Sequence, residues 1–175
     1  MKIKKVLMLL CVCLAFSSVF AYEGKMAGEK NLKSVKTKYF DIVYPESCSE
    51  SAAILYENAD KIYEDMAERY GWDPYLYIVV TITSEVQKNY SYFDGMPWNH
   101  IVICDTAQRD DYISYKDVII GEFTHEMTHA FTRCIRAPLW KLFGFDLGFV
   151  FYNTAFTDGA AIVEESLTGN GRLSD

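Results

Sequence analysis

Two histidines four residues apart, His125 and His129, with a glutamate directly after the first, form the densest chemistry in this chain: His125-Glu126-Met127-Thr128-His129. On a helix, that spacing stacks both imidazoles on one face, within reach of a single metal ion. Glu126 in such a pattern is a base rather than a ligand. It stands beside the metal and takes the proton of the water that the metal acidifies. By average residue frequencies the pattern falls by chance about once in tens of thousands of positions. The chain has three histidines in all, and two of them are here. A catalytic zinc needs a third protein ligand and one open position. The best-placed candidate is Asp158, at the start of the run Asp158-Gly159-Ala160-Ala161-Ile162-Val163-Glu164-Glu165-Ser166. In the first turn of a helix its anionic side chain is favoured. Gly159, Ala160 and Ala161 are small enough to let that helix press on the motif helix. Glu165, seven residues on, shares the Asp158 face and is placed to hydrogen-bond a ligand histidine. The competing reading makes Asp158 an N-cap and Glu164 and Glu165 solvated charges.

The elements that must position these groups follow from periodicity. Ile119, Ile120, Phe123, Met127, Ala130 and Phe131 give a helix over 116–133 an apolar side. A last helix is expected from about Thr157 to Leu167, ended by Gly169 and Gly171. Upstream, 39–44 suits a strand stopped by Pro45. Ser47 and Glu50 have capping-box spacing. Ala52, Leu55, Tyr56, Ala59, Ile62, Tyr63, Met66 and Tyr70 then recur on one helical face, and Gly71 sits where the helix should end in a left-handed residue. Residues 75–83 and 100–104 read as strands, 84–99 as turn-rich, and 137–153 as an irregular hydrophobic loop.

Length and charge bound the rest. The 175 residues suit one domain. Lys2, Lys4 and Lys5, the apolar run from Val6 to Phe16 and Ala21 resemble an export signal over 1–21, followed by a flexible, lysine-rich lead-in over 22–37 and a domain over 38–175. Retention as an N-terminal anchor and, through Cys11 or Cys13, a lipoprotein are the alternatives. Cleavage removes three lysines and no acid, taking the net charge from −7 to −10. An acidic surface argues against nucleic acid and anionic lipid as partners, and the mature chain is expected to have no membrane span. Its compartment is then outside the cytoplasm: secreted, periplasmic or on the cell surface. Cys48, Cys104 and Cys134 remain, enough for at most one internal disulfide. A thiol hydrolase built on one of them with His100 lacks any local signature.

The two motifs together resemble the gluzincin metallopeptidases, and most closely their small extracytoplasmic domains, in which an HExxH helix is followed by an EGxAxxxES…GxGR segment. Here the second motif runs from Asp158 to Ser166 and then Gly169-Asn170-Gly171-Arg172. The resemblance spans roughly 38–172. It implies an α+β, zincin-like fold: a small twisted mixed sheet packed on the active-site helix. It also implies Zn2+ as cofactor and a secreted peptidase acting on peptides or proteins. An edge strand near Ile101, Val102 and Ile103 would take an extended substrate by strand addition. Tyr152 and His100 are candidates for the oxyanion partner that a tetrahedral intermediate needs. The chain departs from the family in two places. Asp158 stands where the family has glutamate, one methylene longer, so the helix must come closer. The stop at Asp175 leaves out helices that family members usually carry, as in a truncated or minimal form. The alternative function is a catalytically inactive peptidase-like binding domain of the cell envelope.

Overall fold

A computed structural model describes residues 31–84, 91–95, 99–105, 114–134 and 154–168. Its elements are β1 (Lys33–Lys36), β2 (Phe40–Tyr44), a 3-10 turn (Glu46–Cys48), α1 (Ser49–Tyr70), β3 (Ile78–Thr83), β4 (Tyr92–Asp94), β5 (His100–Cys104), α2 (Tyr115–Cys134) and α3 (Thr154–Leu167). This is a mixed α+β fold. The sheet order is β1-β2-β3-β5-β4, with β2, β3 and β5 parallel and the two outer strands antiparallel to their neighbours.

Alternation along the strands sets which face is dry. Phe40, Ile42, Ile78, Val80, Ile82, Ile101 and Ile103 are fully buried, and they meet Leu55, Ala59, Tyr63 and Met66 of α1 and Ile119, Phe123, Met127 and Phe131 of α2. Aromatic edges lock the layers: Phe40 meets Phe123 at 5.3 Å and Tyr63 meets Phe131 at 5.2 Å between ring centroids. Each such side chain withdrawn from water contributes about 1.5–3 kcal/mol, so α2 is fixed chiefly by its apolar face. Helix α1 ends as expected. Gly71 has φ +62°, and its N–H and that of Trp72 close back on the carbonyls of Glu68 and Ala67.

Five expectations are corrected. Strand β1 occupies Lys33–Lys36, inside the stretch read as a flexible lead-in. Its turn to β2 is anchored because Asp60 of α1 accepts from Thr37 Oγ1 and from the Lys38 and Tyr39 amides. The capping box does not form: Ser47 lies in the 3-10 turn, Cys48 is the N-cap without a side-chain bond, and Ser49 Oγ bonds Glu46 O. The long strand starts at Ile78, because Tyr75 takes φ +52° and the Tyr75 amide is drawn to Asp73. β4 lies within the turn-rich stretch and pairs with β5, Phe93 opposite Ile101. The strand holding Ile101, Val102 and Ile103 is therefore not an edge: β3 flanks it on one side and β4 on the other.

The export signal, the loop at 137–153, Tyr152 and the Gly169–Arg172 segment lie outside the described residues. Cys48 and Cys104 are buried. Among the described residues no helix is long and apolar enough to cross a membrane.

Candidate metal centre

Helix α2 can carry a polar site because its hydroxyls are satisfied internally. Thr124, Thr128 and Thr132 each donate to the carbonyl four residues back. Two of them, Thr124 and Thr128, are fully buried, as are the apolar residues Ile119, Phe123 and Met127. That leaves Glu122, His125, Glu126, His129 and Arg133, spaced at three and four, along a separate stripe.

The histidines of the stripe face α3. The His125 and His129 rings lie 4.9 Å apart at 76°. His129 Nε2 is 3.5 Å from Asp158 Oδ1, and His125 Nδ1 pairs with Glu165 Oε1. Asp158 meets the later histidine and Glu165 the earlier one, so α2 and α3 run antiparallel at this contact. One donor atom each from His125, His129 and Asp158 falls within 4.8 Å of the others. The residues expected from the sequence, His125, His129 and Asp158, are thus brought together, with Glu165 behind them. Asp158 is the fifth residue of α3 rather than in its first turn, since the helix begins at Thr154. Glu164 and Glu165 are 7% and 8% exposed, which rules out the solvated reading. The small-residue argument holds for Ala161, which is fully buried, and fails at Gly159, where an added Cβ would meet open space.

These donors suit a tetrahedral divalent ion. Two ligand atoms each about 2.1 Å from one such ion lie about 3.4 Å apart, close to the His129–Asp158 separation. His129 is depressed to about 4, first by burial and then by the neighbouring His125 and Arg133 charges. It is a neutral imidazole at neutral pH, with a lone pair to give. His125 has its Nδ1 held by Glu165, which leaves Nε2 as its donor.

Glu126 is 5% exposed. Burial pushes its carboxyl up to about 7; Glu122 one turn earlier adds to this, against the attraction of His125, the Phe93 amide and Arg133. Glu122 itself is raised mainly by burial, and Ser91 Oγ donates to it at 2.5 Å. Arg133 Nη1 donates to the Phe93 carbonyl at 3.2 Å, and its guanidinium lies 5.2 Å from the Phe93 ring centroid. Strand β4 is thereby held against the motif helix. Sequence reading missed Glu122, Ser91 and Arg133. The first and last sit on the same helical stripe as the motif and were legible from spacing alone; Ser91 carried no signal.

His100 is not part of the cluster. It alternates with Ile101 and so lies on the sheet face turned away from α2, where Nε2 contacts Thr81 Oγ1 at 2.8 Å. That removes it as an oxyanion candidate.

No protein-family model and no solved structure matches the chain. It is 31% identical over 166 residues to an uncharacterized protein of Treponema pallidum (strain Nichols). The match covers 93% of this chain and 15% of that protein, so the chain spans under a sixth of the relative's length.

Proposed function

We propose that the chain is a zinc-dependent peptidase of the gluzincin type, exported from the cytoplasm. The observation that carries the reading is the convergence of His125, His129 and Asp158 beside a buried Glu126. His125, His129 and Asp158 would hold the ion, and Glu165 would fix the His125 ring. Zinc, when bound, supplies an acidified water and polarises the scissile carbonyl. Glu126 takes a proton from the attacking water and returns it to the leaving nitrogen. In the metal-free chain burial raises this carboxyl to about 7, and the charge of a bound ion would lower it, toward the ionised form that a base needs. Glu126 is itself only 5% exposed, which limits the bulk water that can compete for the proton.

The test has two parts. Elemental analysis of protein reconstituted with zinc should give one ion per chain, and a broad peptide library should show cleavage that a chelator abolishes. Absence of zinc defeats the metal centre. Stoichiometric zinc without cleavage of any peptide leaves the inactive binding domain as the better account.

A further inference from the structure

Helix α3 presents an unusual docking face. Its buried positions among the described residues are Thr157, Ala161, Glu164 and Glu165, while its large apolar side chains Phe156, Val163 and Leu167 are exposed. A helix normally docks through apolar area. This one offers an alanine, a threonine and two carboxylates. Asp158 and Glu165 are committed to the histidines of α2. Glu164, 240° around the helix from Asp158 by spacing, turns instead toward α1.

There it meets Arg69, in the last turn of α1. Arg69 Nη2 donates to Glu164 Oε2 at 2.6 Å and Nε donates to the same oxygen at 3.0 Å, across 95 residues of sequence. The Glu164 side chain is 9% exposed and that of Arg69 37%. The neighbouring Tyr70 shares the carboxylate's field: burial, then the Glu164 charge, pushes its phenol up to about 12. Tyr70 also stacks on Phe131 of α2 at 5.7 Å. Glu164 thus ties α3 to the end of α1 beside the point where Tyr70 packs α1 on α2.

We infer that Arg69 is a positioning residue for the metal centre: through Glu164 it fixes where α3 sits along α2, and so where Asp158 and Glu165 reach the histidines. The inference rests on the proposed metal centre. The demand for such a clamp follows from Asp158. A ligand oxygen must lie within about 0.2 Å of its preferred metal distance, and the short aspartate side chain has little reach to absorb a displaced helix. A charge-assisted fork from a long arginine supplies direction as well as attraction.

Zinc affinity, read by competition with a chromophoric chelator, and the visible spectrum of the Co2+ form together test this. Glu164→Gln and Arg69→Met should each weaken zinc by about tenfold to a hundredfold, the range seen when a group that orients a ligand is lost. Each should also change the Co2+ band shape while leaving the far-ultraviolet dichroism of a folded chain intact. The exchanged pair, Arg69→Glu with Glu164→Arg, should recover affinity and spectrum relative to either half alone. Folded single variants with wild-type affinity and spectrum overturn the inference. Should both singles fail to fold, Arg69→Lys decides: it keeps the charge without the fork, so weakened zinc is expected and wild-type binding overturns the clamp. A wild-type chain that takes up no zinc defeats the metal centre itself, and the clamp with it, before any variant is compared.

Discussion

Asp158 Oδ1 stands 3.5 Å from His129 Nε2, although 29 residues and two different helices separate them. The Asp158 side chain is half exposed, whereas that of His129 is 10% exposed. The pair thus has one open side and one closed side, as a ligand set with a vacant position requires. Asp158→Ala should lower zinc content and peptide hydrolysis together. Asp158→Glu, restoring the residue of the gluzincin motif, should retain zinc. Metal analysis beside a hydrolysis assay reads both. Full zinc in the alanine variant would show that Asp158 is not a ligand.

Glu126 should separate chemistry from binding. Glu126→Gln is nearly isosteric and leaves every proposed ligand in place. Zinc content and melting temperature should hold, while hydrolysis falls by at least about a hundredfold, the usual range for a lost general base. Unchanged hydrolysis would remove Glu126 from the mechanism.

Glu165 is expected to act on the metal without touching it. It holds His125 Nδ1, which keeps the other ring nitrogen aimed at the donor cluster. Glu165→Gln should lose about tenfold to a hundredfold in zinc affinity. An affinity equal to wild type would reduce the contact to packing.

Acid sensitivity should be traceable in part to His100. Burial lowers its pKa below the ordinary 6.5, with Asp94 pulling the other way. The unfolded chain therefore takes up a proton near 6.5 that the folded ring refuses. The stability associated with the neutral ring is complete above pH 6.5 and drains away as the pH falls below it. In metal-free protein, urea midpoints between about pH 7.5 and pH 4.5 should fall less steeply for His100→Gln than for wild type. Parallel curves would deny His100 any share.

The motif helix, α1 and most of the parallel strands were legible because their apolar residues repeat at three and four or alternate by two. Phe123 and Met127 could be assigned inward by spacing alone. Asp158 and Glu165 were legible for the same reason, being two turns apart on one helix. What escaped was short or non-local. Strand β4 has three residues, too few for a period to declare itself. Without it, Ile101–Ile103 looked like an edge. The Arg69–Glu164 pair spans 95 residues, and no local pattern links a basic residue near one helix end to an acid in another helix. His100 was misplaced because a strand's alternation shows which residues share a face, not which face looks toward the motif helix.

The strand order has a consequence for tethering. β1 and β4 form opposite margins of the sheet, four strand spacings apart, or about 19 Å. The polar stripe of α2 is tied to the β4 margin through Ser91–Glu122 and Phe93–Arg133. Chain arriving from the N-terminal side joins at β1. An anchor or an upstream stretch of polypeptide pulling on that side grips the domain by its far margin. Force there is borne first by the β1–β2 hairpin and its Asp60 latch, at the margin opposite the one to which the α2 stripe is tied.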